Sequence, residues 1–74
     1  MITDEMKDLA ERILKKIDFL NENAHAQSAA QHEGNKELIK QLEHQELTFY
    51  IQASSLAFRL AAQIVIAHER QPRP

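Results

Sequence analysis

The sequence contains no cysteine and no tryptophan, a single glycine, and only two prolines, Pro72 and Pro74, both within its last three residues. Without cysteine there is no disulfide framework, no thiolate metal site and no thiol nucleophile, a pattern that fits a reducing compartment. With Gly34 as the one glycine, and few β-branched residues besides isoleucine, the chain has little from which to build tight turns or sheets. Alanine, leucine, glutamine, glutamate and lysine abound instead, so the expected fold class is all-α.

Charge of one sign is also missing. Nine basic and eleven acidic residues give a net charge of -2 and a pI near 6.0, with the signs interspersed, so no broad field draws in a polyanion. That balance weighs against nucleic acid as the main partner. The start, Met1-Ile2-Thr3-Asp4-Glu5, lacks the basic and apolar regions of a secretory signal, and no Asn-X-Ser/Thr sequon occurs, which makes a cytoplasmic protein the expectation. No glycine-rich phosphate loop, GxSxG or HExxH is present. Paired carboxylates such as Glu43 and Glu46 read as a solvated helix face, so no enzyme and no cofactor is expected.

What is there is helical patterning over one small domain, residues 1–74. Thr3 is a candidate N-cap, and Asp4 and Glu5 follow where the helix dipole favours negative charge. Met6, Ala10, Ile13, Ile17, Leu20 and Ala24 recur at spacings of four and three, widened by Leu9 and Leu14. Asp8 with Arg12, and Glu11 with Lys15, are acid-before-base pairs one turn apart. Residues 21–35 are polar and alanine-rich, with Gln27 and Gln31 at stripe positions. Gly34 followed by Asn35 combines a helix stop with a helix start, placing helix 1 at about 4–32, the turn at about 32–36 and helix 2 at about 36–71, where Pro72 opposes continuation. The rival is one unbroken helix through Gly34, since a lone exposed glycine costs only about 1 kcal/mol.

Helix 2 carries Leu38, Ile39 and Leu42 and becomes strongly apolar from Leu47 to Ala67, leaving only a narrow polar stripe of Thr48, Gln52, Ser55, Arg59 and Gln63. Its length suggests a membrane span, but Arg59 near the centre would cost about 2.5–3.5 kcal/mol in hydrocarbon, which favours a soluble helix and no membrane. Folding back at Gly34 sets residues whose numbers sum to about 68 opposite each other: Phe19 beside Phe49 and Tyr50, Ile17 beside Ile51, Ile13 beside Leu56. Both apolar halves then meet at the open end of the hairpin.

One partner helix cannot cover an apolar surface that runs most of the way round helix 2. A two-helix contact is also too small to offset the entropy of ordering the chain. The expected fold is therefore an antiparallel helical hairpin that dimerises into a four-helix bundle. Its packing and dimer interface draws on Ile13, Ile17 and Leu20 from helix 1 and on Phe49, Leu56, Phe58, Leu60, Ile64 and Val65 from helix 2. Ala53, Ala57 and Ala61, four apart, would allow close backbone approach. Gln52 and Gln63 are candidates for paired hydrogen bonds at the twofold axis, and Arg59 for a register-fixing pair with Asp8 or Glu5, against the plainer alternative that it reaches water.

The expected function is that of a small non-enzymatic homodimer, of the kind found among short bacterial and phage accessory proteins, that binds a larger protein and regulates or inhibits it. The alternative is a nucleic-acid-binding regulator using Arg12, Lys15 and Lys16 of both protomers. It would resemble the plasmid regulator Rop in hairpin-dimer architecture only, with no matching residues. His25 and His44 face each other in this register, with Glu22 or Glu43 as a third ligand, but the spacing matches no ligand motif and no metal is expected. His68 sits where it answers the negative end of the helix 2 dipole.

Overall fold

The structure, a computed structural model, describes residues 2–70. It consists of two α-helices, α1 (Asp4–Glu33) and α2 (Lys36–Glu69), packed against each other as a helical hairpin 62 Å long, with no strand among the described residues. Thr3 caps α1 as its side chain predicts: extended backbone, with Oγ1 accepting from the Met6 amide at 3.1 Å.

The chain breaks at Gly34 and does not run through it. Gly34 is left-handed at φ 69°; its N–H bonds the Gln31 carbonyl at 3.1 Å and the Asn35 N–H bonds the Ala30 carbonyl at 3.0 Å. These are the two bonds of a Schellman stop, which satisfy carbonyls the helix end would otherwise leave open. Asn35 also starts the next helix, its Oδ1 accepting from the Leu38 amide at 3.1 Å. Two residues thus end one helix and begin another. The expected end of helix 2 near Gln71, and the Pro72 stop, lie outside the described residues.

The two arms meet along a seam in which inward positions alternate at spacings of three and four, the seven-residue repeat of antiparallel coiled coils. On α1 these are Met6, Leu9, Ile13, Lys16, Leu20, Asn23, Gln27 and Ala30; on α2 they are Leu42, Phe49, Ala53, Leu56, Leu60, Gln63 and Ala67, with the exposed Glu46 keeping the spacing between Leu42 and Phe49. Phe19 and Phe49 stack across the seam, ring centroids 5.4 Å apart, in the register that folding at Gly34 dictates.

The inward line of α1 is rotated from the sequence expectation. Leu9, Lys16 and Asn23 occupy the second column of the seam, while Ala10, Ile17 and Ala24 lie on its flank, with Ile17 left 43% exposed. A stripe search finds the mean apolar direction of a helix, and on α1 that direction falls between the hairpin seam and an outer apolar flank. The core is correspondingly thin. Met6, Leu9, Ala30 and Leu42 are its buried apolar residues, and among the described residues no large side chain is completely enclosed.

Towards the turn the seam becomes polar and is closed by hydrogen bonds. Asn23, 5% exposed, donates from Nδ2 to the Leu42 carbonyl at 2.9 Å, and Gln27 Nε2 donates to Asn23 Oδ1 at 2.6 Å and to Glu46 Oε2 at 2.7 Å. No buried side-chain polar atom among the described residues lacks a partner.

Candidate functional site

In an antiparallel pair each helix presents one flank to either side of the seam, so the hairpin has two long faces. Both are lined largely by apolar surface and differ in the charge around it. On the first face, α1 contributes Arg12, Lys15 and Phe19 and α2 contributes Gln52 and Ser55; with Lys16, Ile51 and Leu56 they line an open groove of about 610 Å³. On the second, Ile2, Met6 and Ala10 meet Leu60 and Ile64 in an apolar groove of about 280 Å³ edged by Lys7. Leu14 and Ile17 continue this second face along α1, and Leu47, Tyr50, Ala57 and Ala61 continue it along α2.

The apolar surface does not stop at the groove. Ile51, Phe58 and Val65, spaced seven apart on the far edge of α2, are also exposed, Phe58 at 76%. Soluble monomers rarely leave a contiguous apolar patch of this kind uncovered. By length and composition alone α2 is long and apolar enough to cross a membrane, with a mean hydropathy of 1.3 over its most apolar 18 residues. Arg59 is exposed on the polar stripe within that stretch.

Of the residues expected at the packing and dimer interface, Ile13, Leu20, Phe49, Ala53, Leu56 and Leu60 lie half-buried in the hairpin's own seam. Ile17, Ala57, Phe58, Ala61, Ile64 and Val65 point outward and are exposed. The expected basic trio does come together. Arg12, Lys15 and Lys16 line the same groove; Arg12 Nε pairs with Asp8 Oδ2 at 3.0 Å, and Lys16 Nζ lies 5.7 Å from the centroids of both the Phe19 and Phe49 rings.

Arg59 does not reach Asp8, whose carboxylate is taken by Arg12 in the one ion pair among the described residues. The second expected helix pair, Glu11 with Lys15, does not form there. The residues that tie the arms together by hydrogen bonds are Asn23, which the sequence reading did not single out, and Gln27, which it placed on the stripe without a bonding role; that role was expected of Gln52 and Gln63. The available signal was a polar residue at an inward position of the seven-residue repeat. Gln63 is half-buried and Gln52 exposed. Among the described residues no three His, Asp or Glu side chains converge to hold a metal ion, so His25 and His44 gain no third ligand. His68 occupies the last turn of α2, as the dipole argument places it.

The grooves that run along the seam between the arms are open to solvent. Comparison with known proteins finds no family model, no curated protein and no solved structure that matches this chain.

Proposed function

We propose that this protein is a non-enzymatic, homodimeric helical protein that completes a four-helix bundle with its own copy, binds a larger protein and regulates or blocks it. The observation that carries this reading is the uncovered apolar surface of α2, where Leu47, Tyr50, Ile51, Phe58, Ile64 and Val65 are all more than half exposed. A hairpin with four buried apolar residues is an incomplete core, and a second copy is a cover present wherever the chain is made. The row Ile51, Phe58 and Val65, on the outer edge of α2, is the surface offered to the larger partner.

Light scattering tests the first half of the proposal: a mass of one chain across the accessible concentration range would end it. For the second half, the immobilised protein should capture a partner from lysate saturably, and capture should fail when Phe58 is changed to Asp while the dimer persists.

A second reading is favoured by one observation, the convergence of Arg12, Lys15 and Lys16 on the groove above Phe19. It is nucleic-acid binding by that groove, which predicts affinity that falls steeply with salt and is lost when the three cations become Glu. The balanced overall charge ranks it below the first.

A further inference from the structure

We propose that the second copy seats on one half of the hairpin only: the open-end half of the apolar face, built from Ala10, Leu14 and Ile17 of α1 and Tyr50, Ala57 and Ile64 of α2. The turn half stays uncovered. This rests on the self-association proposed above and specifies where it occurs.

The exposed apolar side chains are segregated along the hairpin. Every large hydrophobic residue exposed among those described lies between 2 and 17 or between 47 and 66, and none lies between 18 and 46. In the hairpin register those two segments are the same end of the molecule. The same face changes character on passing towards the turn, where Asn21, Ser28 and Gln31 of α1 and Lys36, Lys40 and Glu43 of α2 take the equivalent positions. A partner hairpin that extended over this stretch would bury lysine and glutamate for no apolar gain.

Each half buries two apolar residues, Ala30 and Leu42 towards the turn and Met6 and Leu9 at the open end. The turn half adds three hydrogen bonds that join Asn23, Gln27, Leu42 and Glu46, and the Schellman stop at Gly34. Among the described residues no side-chain hydrogen bond joins the arms in the open half.

The size of the face says what covers it. Residues 47–66 span roughly 30 Å at 1.5 Å per residue, and two helices side by side are about 20 Å wide, giving on the order of 600 Å² per partner. That approaches the roughly 800 Å² per partner of a standard stable interface. A lone foreign helix would span half the width, whereas another two-helix hairpin matches it. The opposite face has apolar lining too, in Phe19, Ile51 and Leu56, but Arg12, Lys15 and Lys16 stand around it, and a twofold copy seated there would bring those cations against their own counterparts.

The full chain should be measured by light scattering alongside two variants of the same face, Leu14→Glu/Ile64→Glu at the open end and Asn21→Glu/Ser28→Glu towards the turn. The open-end variant should raise the dimer dissociation constant at least tenfold, and the turn-end variant should leave it within about twofold of wild type. Loss of the dimer from the turn-end variant, or its persistence in the open-end one, overturns the proposal. Should the open-end variant unfold, the cysteine-free chain permits a second measurement: Ile64→Cys should be protected from a thiol reagent in a concentration-dependent way and Ser28→Cys should react freely, and the reverse order overturns it. A wild-type chain that is monomeric throughout sinks self-association and this inference together. If that monomer sediments with phosphatidylcholine–phosphatidylglycerol vesicles, a lipid surface covers the face instead. A wild-type dimer with the wrong variant pattern sinks only this inference.

Discussion

Asn23 donates through Nδ2 to the carbonyl of Leu42, 2.9 Å away on the other arm, in the most polar part of the seam and with its side chain buried. Nineteen residues of sequence separation are bridged by that bond, which fixes how far one helix slides along the other. A slip by one turn would leave the amide buried without its acceptor, the costly state that makes a polar seam residue a register device.

Asn23→Ala should therefore cost about 1–2 kcal/mol in urea denaturation, through the gap left in the seam together with the lost cross-arm bond. Asn23→Leu should recover most of that, because the Leu42 carbonyl keeps its helical partner and the new side chain fills the space. If the leucine variant were as unstable as the alanine one, the hydrogen bond and not the packing would be dominant.

Gly34 is a different case, because nothing lies within 4 Å of where its Cβ would be. Any cost of Gly34→Ala is then the cost of a left-handed backbone at φ 69°, about 1–2 kcal/mol. Gly34→Asn should cost clearly less, since asparagine tolerates that region. Thermal melts of the two variants side by side check the order.

How much of this was legible follows from which features are local. The caps at Thr3 and Asn35 and the stop at Gly34 depend on side chains and backbone within a few residues, and the sequence placed them correctly. So did the pairing of Phe19 with Phe49, because a two-residue turn fixes the register of the arms. The seam of α1 was misjudged by one column. Ile17 is more apolar than Lys16, and a search for apolar spacing takes the isoleucine as inward. In the folded hairpin Lys16 is inward instead, its ammonium over two aromatic rings, and Ile17 is left on the flank. A helix with two apolar surfaces cannot be oriented from its own periodicity, because the neighbour decides which of them is the seam. Asn23 was missed for the same reason, since it is conspicuous only once the inward column is known; Gln27 was placed on the stripe, but its bond to Glu46 of the other arm was not foreseen.

Lys16 and Arg12 line one groove but should respond differently to truncation. Lys16→Ala removes a cation 5.7 Å from both ring centroids along with a stem packed in the seam, and should cost about 0.5–1.5 kcal/mol. Arg12→Ala breaks only an ion pair whose two side chains are each more than half exposed, worth at most about 1 kcal/mol and less in salt. Chemical denaturation at low and high ionic strength separates them: the Arg12 effect should vanish with salt and most of the Lys16 effect should remain.

Phe58 offers the sharpest separation between folding and function. At 76% exposed it gives up little of its surface to the hairpin, so Phe58→Asp should change the stability of the fold by no more than about 0.5 kcal/mol. It also lies on the outer edge of α2, seven residues from Ile51 and from Val65, away from the flank that Ile64 shares with Ala10 across the apolar groove. The two positions should therefore part company. Ile64→Asp should dissociate the dimer, while Phe58→Asp should leave its mass intact and weaken capture of the larger partner at least tenfold, the loss expected when an aromatic anchor contributing about 2 kcal/mol is removed. Were Phe58→Asp to abolish the dimer as well, the outer row would belong to the bundle, and no separate apolar surface would be left on α2 for another protein.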